Sequence, residues 1–208
     1  NNSIDGVNIN ANGLMIYNTN ASVTGGNGVG YYYWNGSTWT AMKAAASSGN
    51  NWALTGNSGT NSSTNFLGTT DGQPLNLRVN NVGIGRFATN GAVQIGVGAF
   101  ATDNNSFAIG KDAKAVYEAT SLGMGANASG NESIALGKNS KSIYQGTAIG
   151  LGAINTGNQS VALGYGASSS YQSTAFGYNA LTSANNAIAI GNASNSTSQN
   201  AISIGTST

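Results

Sequence analysis

Hydrophobic and polar positions alternate in short bursts along this chain, and from Gly96 onward the bursts repeat. Each reads small, bulky, small, bulky, glycine, as in Ser106-Phe107-Ala108-Ile109-Gly110 and Ser133-Ile134-Ala135-Leu136-Gly137. The closing glycine stands at 96, 110, 123, 137, 150, 164, 177, 191 and 205, so the interval is 13 or 14 residues. Alternation with period two over five residues predicts a short strand. A second short strand follows each glycine, as in Ala113-Lys114-Ala115 and Ala126-Asn127-Ala128, where small residues flank a middle position that varies freely. An interval this long has room for two brief strands and two turns. The predicted unit is therefore a coil that stacks on the next, which is a β-solenoid.

The first ninety residues lack that regularity. β-like runs occur at Gly6-Val7-Asn8-Ile9-Asn10 and Gly13-Leu14-Met15-Ile16-Tyr17. Asn35-Gly36 between Tyr31-Tyr32-Tyr33-Trp34 and Thr38-Trp39-Thr40 predicts a hairpin with a type I′ turn. Ala44 to Asn51 reads as a short helix or a linker. Further on, Leu75, Leu77 and Val79 alternate with Asn76, Arg78 and Asn80, the pattern of a half-buried strand, with Pro74 at its entrance. The expected organisation is a small β unit over 1–45, a β-rich connector over 46–90 and repeats over 91–208.

Size decides which way the repeat faces. Two strands of about five residues make a coil thinner than the roughly 10 Å gap between ordinary packed sheets. Alanine and serine fit inside it, so the bulky column is expected to point outward. That column includes Ile109, Leu122, Leu136, Ile149, Leu163, Phe176, Ile190 and Ile204. An aliphatic ridge of this length is too large to leave in water on a monomer. Burial against identical copies about a threefold axis is one solution and makes these eight residues candidates for a trimer interface; the rival packing puts Ile and Leu inside the coil against alanine and leaves a soluble monomer.

The alternation of interval length carries a second message. Every second turn between coils is one residue shorter and contains tyrosine, at Tyr117, Tyr144 and Tyr171, while the others carry Asn104, Asn131, Asn158 and Asn185. Both sets recur every 27 residues, so the unit is a pair of coils. The tyrosines are expected along one edge at roughly 9.6 Å intervals. Their rings serve either to pack the turns or to bind a ligand.

Composition narrows the chemistry. Charged residues are 6% of the 208, the formal net charge is +1, and there is no Cys and no His. Thiolate chemistry, the usual zinc sites and Ser-His or Cys-His catalysis are thereby excluded, and no catalytic residue, metal or cofactor is expected. No basic face marks a nucleic-acid partner, and no apolar run approaches the roughly 18 residues of a spanning helix. Gly-x-Gly pieces such as Gly123-Met124-Gly125 lack the strand-then-helix setting of a phosphate loop and read as coil corners. The abrupt opening at Asn1-Asn2-Ser3 reads as an excised fragment. What remains is an aromatic cluster, in which Tyr31, Tyr33, Trp34 and Trp39 are candidates for stacking on a sugar, or else for the core of a small unit.

Asn131-Glu132-Ser133-Ile134-Ala135-Leu136-Gly137 and Gln159-Ser160-Val161-Ala162-Leu163-Gly164-Tyr165-Gly166-Ala167 resemble the head repeats of YadA-like trimeric autotransporter adhesins. The resemblance covers about residues 92–208. It implies an all-β, left-handed parallel β-roll, a homotrimer, and adhesion through a surface glycan or protein receptor. It places the chain outside the cell, on an outer-membrane-anchored fibre. The same module occurs in phage tail fibres, so a receptor-binding segment of a virion is the alternative expectation.

Overall fold

The structure, a computed structural model, describes residues 12–20, 28–42 and 52–208. The expected run at 6–10 and the stretch 44–51 lie outside the described residues. The chain forms two compact units, Asn1–Leu67 and Gly68–Thr208. Strand is the regular structure among the described residues, with no helix.

In the first unit, β1 (Met15–Asn18), β2 (Gly30–Trp34) and β3 (Trp39–Ala41) make an antiparallel sheet in the order β1-β2-β3. The hairpin stands where the pattern placed it, but its turn is different. The Asn35 N–H donates to Thr38 O at 3.1 Å, which puts Gly36 and Ser37 at the centre. Gly36 has φ of 99°, whereas Asn35 is not left-handed. The Asn35 side chain explains the shift, because its Oδ1 accepts from the N–H groups of Ser37 and Thr38 at 2.9 and 2.8 Å. An asparagine that caps the turn from its first position cannot also occupy the centre.

The second unit opens with an antiparallel meander of β4 (Leu75–Val79), β5 (Val82–Phe87) and β6 (Val93–Ile95). β6 then pairs in parallel with Phe107–Ile109 and starts the solenoid. Eight more three-residue strands, each followed by its glycine, extend the meander into an eleven-stranded sheet. Eight two-residue strands, from Phe100–Ala101 to Asn195–Ser196, form the facing sheet. Pairing is parallel and in step throughout the roll, and a coil lost or gained moves no residue off its column.

The two sheets enclose an interior of alanine and serine. Ala108, Ala113, Ala115, Ala135, Ala148, Ser121 and Ser142 are among the residues with no exposure at all. The facing sheets come close because nothing longer separates them, whereas the glycine at each corner answers a close approach between successive coils. Gly110 has φ of 132°, and a Cβ built there would lie 2.6 Å from Gly123 O. Both the backbone angle and the space exclude a side chain.

Two interior positions depart from the small-residue rule together. Asn155 is the largest fully buried side chain among the described residues. Opposite it stands Gly146, where a Cβ would come within 2.5 Å of the Asn155 amide. The Asn155 Nδ2 donates to Ser160 O at 2.6 Å. One residue grows and its neighbour shrinks, so the interior keeps its volume.

At the other end of the sheet, β4 corrects an expectation. Leu77 and Val79 are exposed within the chain rather than half-buried. Their side of the sheet continues the outward column of the roll, since Leu75 pairs with Phe87, Phe87 with Val93 and Val93 with Phe107. On the opposite side only β6 reaches the roll's interior, since Asn76 and Arg78 of β4 are exposed. Gln94 occupies the position that Ala108 holds one coil later, and its amide donates to Ala101 O at 2.5 Å.

Candidate functional surfaces

Three surfaces emerge from these elements. The first is the outer side of the eleven-stranded sheet. Strand register aligns Ile109, Leu122, Leu136, Ile149, Leu163, Phe176, Ile190 and Ile204 as successive nearest neighbours in one column. Ile95 extends that column by one more position. A parallel column two residues earlier runs Phe107, Thr120, Ile134, Thr147, Val161, Thr174, Ile188, Ile202. Threonine there falls on the 13-residue coils. Leu122 is 44% exposed, Phe176 50% and Ile204 67%. Eight steps of about 4.8 Å give this apolar face a length on the order of 40 Å.

The second surface is the edge that carries the turns between coils. Backbone bonds run up it from coil to coil: Glu118 N to Asn104 O, Glu132 N to Tyr117 O, Gln145 N to Asn131 O and Gln172 N to Asn158 O, at 3.2, 2.9, 2.8 and 2.9 Å. Tyrosine and asparagine therefore alternate in a single column, and Tyr117, Tyr144 and Tyr171 are all exposed. At one end Tyr117 borders a groove of about 420 Å³ with Asn90, Asp103, Asn104, Glu118 and Glu132.

Beside the tyrosines runs a second column that the pattern analysis missed. Asn105, Glu118, Glu132, Gln145, Gln159, Gln172, Asn186 and Asn200 all adopt a left-handed backbone, with φ between 50° and 61°. Their side chains bond along the stack. Gln145 Nε2 donates to Glu132 Oε2 at 3.3 Å, Gln159 to Gln145 at 3.4 Å and Gln172 to Gln159 at 3.3 Å. The signal lay in the spacing, because each of these residues stands five before a corner glycine.

The third surface belongs to the N-terminal sheet. Pairing of Met15 with Tyr33 and Tyr17 with Tyr31 puts all four on one side, where the Tyr17 and Tyr31 rings meet edge-on at 4.9 Å. Tyr31 is 59% exposed and Tyr33 38%. The other side holds Tyr32, which is buried and donates its hydroxyl to Gly28 O at 2.7 Å. Trp34 and Trp39 pair across the hairpin on that side, with ring centroids 5.4 Å apart. The four aromatic candidates are thus split between two faces. Among the described residues no group of acidic, His or Cys side chains is placed to hold a metal ion.

Comparison with known proteins adds the following. A sequence model of the YadA head domain repeat matches residues 92–113, 117–140, 144–167, 168–194 and 183–208. A model described as a phage tail like trimerisation region matches residues 1–63. The collagen-binding domain of the Yersinia adhesin YadA is similar at 30% identity over 51% of this chain and 69% of that one, with a TM-score of 0.43. No curated protein matches the chain.

Proposed function

The chain belongs to the YadA head-repeat family, and on that premise we propose that it is an adhesive segment of a homotrimeric surface fibre. The observation that carries the reading is the outward apolar face. The roll's interior is already full of alanine and serine, so Ile149 or Leu163 has nowhere to go within its own chain. Full burial of such a side chain is worth about 1.5–3 kcal/mol, and these half-buried positions gain the share of it that their remaining exposure allows. Repeated over nine coils, that gain favours close association along the whole rod. Three copies about one axis bury the face of each and leave no open end to the association. The match of residues 1–63 to a trimerisation region supports the same oligomer.

Attachment then follows from geometry rather than from a deep pocket. A rigid trimer displays three copies of the facing sheet and of the N-terminal aromatic sheet, and weak contacts add through effective concentration. The target class is a surface glycan or an exposed protein, met outside the cell. Light scattering checks the oligomer: the expected mass is three times the 20.8 kDa chain, and a monomer rejects the reading. For attachment, Tyr31→Ala with Tyr33→Ala is expected to lower binding to a glycan or matrix-protein array while the mass stays trimeric.

A second reading is a receptor-binding segment of a phage tail fibre. It is favoured by the trimerisation match over residues 1–63, whose description is tail-like. The two readings share the trimer and the rod and differ in what the fibre is anchored to. Labelling with antibody against the roll separates them, because one expects signal on intact cells and the other on virions.

A further inference from the structure

The charged residues of the roll are not spread along it. Among residues 91–208 they comprise Asp103, Lys111, Asp112, Lys114, Glu118, Glu132, Lys138 and Lys141, and from Ser142 to Thr208 there are none. They are also sorted by side. Lys111 and Lys138 follow corner glycines and are exposed there. Lys114 and Lys141 project from the adjoining two-residue strands, in one column two coils apart. Asp103, Glu118 and Glu132 stand on the opposite edge, that of the turns. The corner edge itself carries Lys111, Asp112 and Lys138, with the Lys111 ammonium 4.0 Å from Asp112, and Lys114 and Lys141 add positive charge from the adjoining sheet, while three acids leave the turn edge at −3.

Each edge has its own ladder of backbone bonds, which fixes the height of every residue. On the corner edge Gly125 N donates to Lys111 O and Gly152 N to Lys138 O, both at 2.9 Å. The column there runs Val97, Lys111, Met124, Lys138, Leu151, Tyr165, Tyr178, with Tyr165 and Tyr178 stacked at 5.1 Å. Glu132 and Lys138 belong to one coil, at either end of the strand Ile134–Leu136. Lys111 lies within one coil of Glu118 in height.

A slab with one broad face toward a threefold axis has two narrow edges, and rotation brings unlike edges together. Cyclic symmetry adds no shift along the axis, so residues meet at their own height. Resting on the trimer reading, we propose that the corner edge of one copy docks on the turn edge of the next. Lys138 lies opposite Glu132, in a ring of ion pairs that marks the register of three rolls, while Lys111 stands within one coil of Glu118 and adds to the attraction. Above the charged band the same two edges bring Leu151, Tyr165 and Tyr178 against Tyr144 and Tyr171. The aliphatic face holds the copies together, but its columns repeat, so a slip by two coils is opposed there only by the coils it uncovers at the ends. Charge confined to one band removes that freedom.

The absence of cysteine makes the test direct. Glu132→Cys with Lys138→Cys, treated with a short bis-maleimide, is expected to give a covalent trimer on a denaturing gel, while each single variant stays monomeric there. An intrachain link leaves a monomer band. In parallel, Lys111→Glu with Lys138→Glu is expected to lower the melting temperature by about 5–10 °C, and adding Glu118→Lys with Glu132→Lys to restore most of it. Light scattering on the same samples separates the two levels of the argument. A non-covalent trimer that gives no covalent trimer, single variants that link as dimers, or charge reversals that merely add overturn the edge pairing alone. A monomer throughout overturns the trimer as well.

Discussion

The two sheets of the roll line the same interior with the same small residues, yet their outer sides obey different rules. On the nine-coil sheet the outward positions stay apolar or threonine in every coil. On the facing sheet the outward position runs Phe100, Lys114, Asn127, Lys141, Ile154, Ser168, Leu181, Asn195. Inward demands are alike, so the interior does not cause the contrast. A surface in water accepts any side chain that does not aggregate, whereas a surface against a partner accepts only those that fill it. Restriction on one side and freedom on the other separate the buried sheet from the wet one.

The contrast is broken most severely by charge on each side in turn. Ile149→Asp with Leu163→Asp places six carboxylates in the trimer seam, and the expected outcome is a monomer by light scattering. Ile154→Asp with Leu181→Asp makes the same chemical change on the facing sheet, and the mass is expected to remain trimeric. If both pairs dissociate the protein, the two sheets are not distinct.

A smaller effect is expected from the interior that both sheets share. Gly146→Ala pushes a methyl group into the Asn155 amide and is expected to cost about 1–3 kcal/mol in a urea melt. Adding Asn155→Ser should recover most of that loss, because the two positions fill one space. Smallest of all is Gln159→Ala on the turn edge. Its bonds to Gln145 and Gln172 are long, at 3.4 and 3.3 Å, and lie above the charged band, so the expected change is within about 0.5 kcal/mol.

The roll was legible in the sequence because every coil repeats one steric problem. A glycine whose Cβ meets the next corner, as at Gly110, cannot vary, and an interior with room for Ala108 cannot take leucine. Such limits print themselves on the chain at fixed intervals. What stayed hidden depends on single encounters. Asn35 looked like half of a two-residue turn, and only its side-chain bonds to Ser37 and Thr38 move it to the shoulder. Gly146 and Asn155 stand nine residues apart, and nothing in either neighbourhood announces that they touch. The strand at Leu75–Val79 was read correctly as alternating, yet alternation says that one side differs from the other and not that this chain covers it. For the sites, the aligned column of eight was visible in the period. The split of Tyr31 and Tyr33 from Trp34 and Trp39 followed from strand parity, and which side is covered did not.

The pairing of short and long coils makes this rod a ruler graduated in units of 27 residues. Insertion or loss of one whole unit changes its reach by about 1 nm and leaves every stack of like residues intact. Slipping by a single coil instead sets tyrosine where asparagine belongs and threonine where isoleucine does. A gene encoding such a rod can therefore lengthen or shorten it by duplication or deletion in one register, and selection on reach can act without rebuilding a single joint.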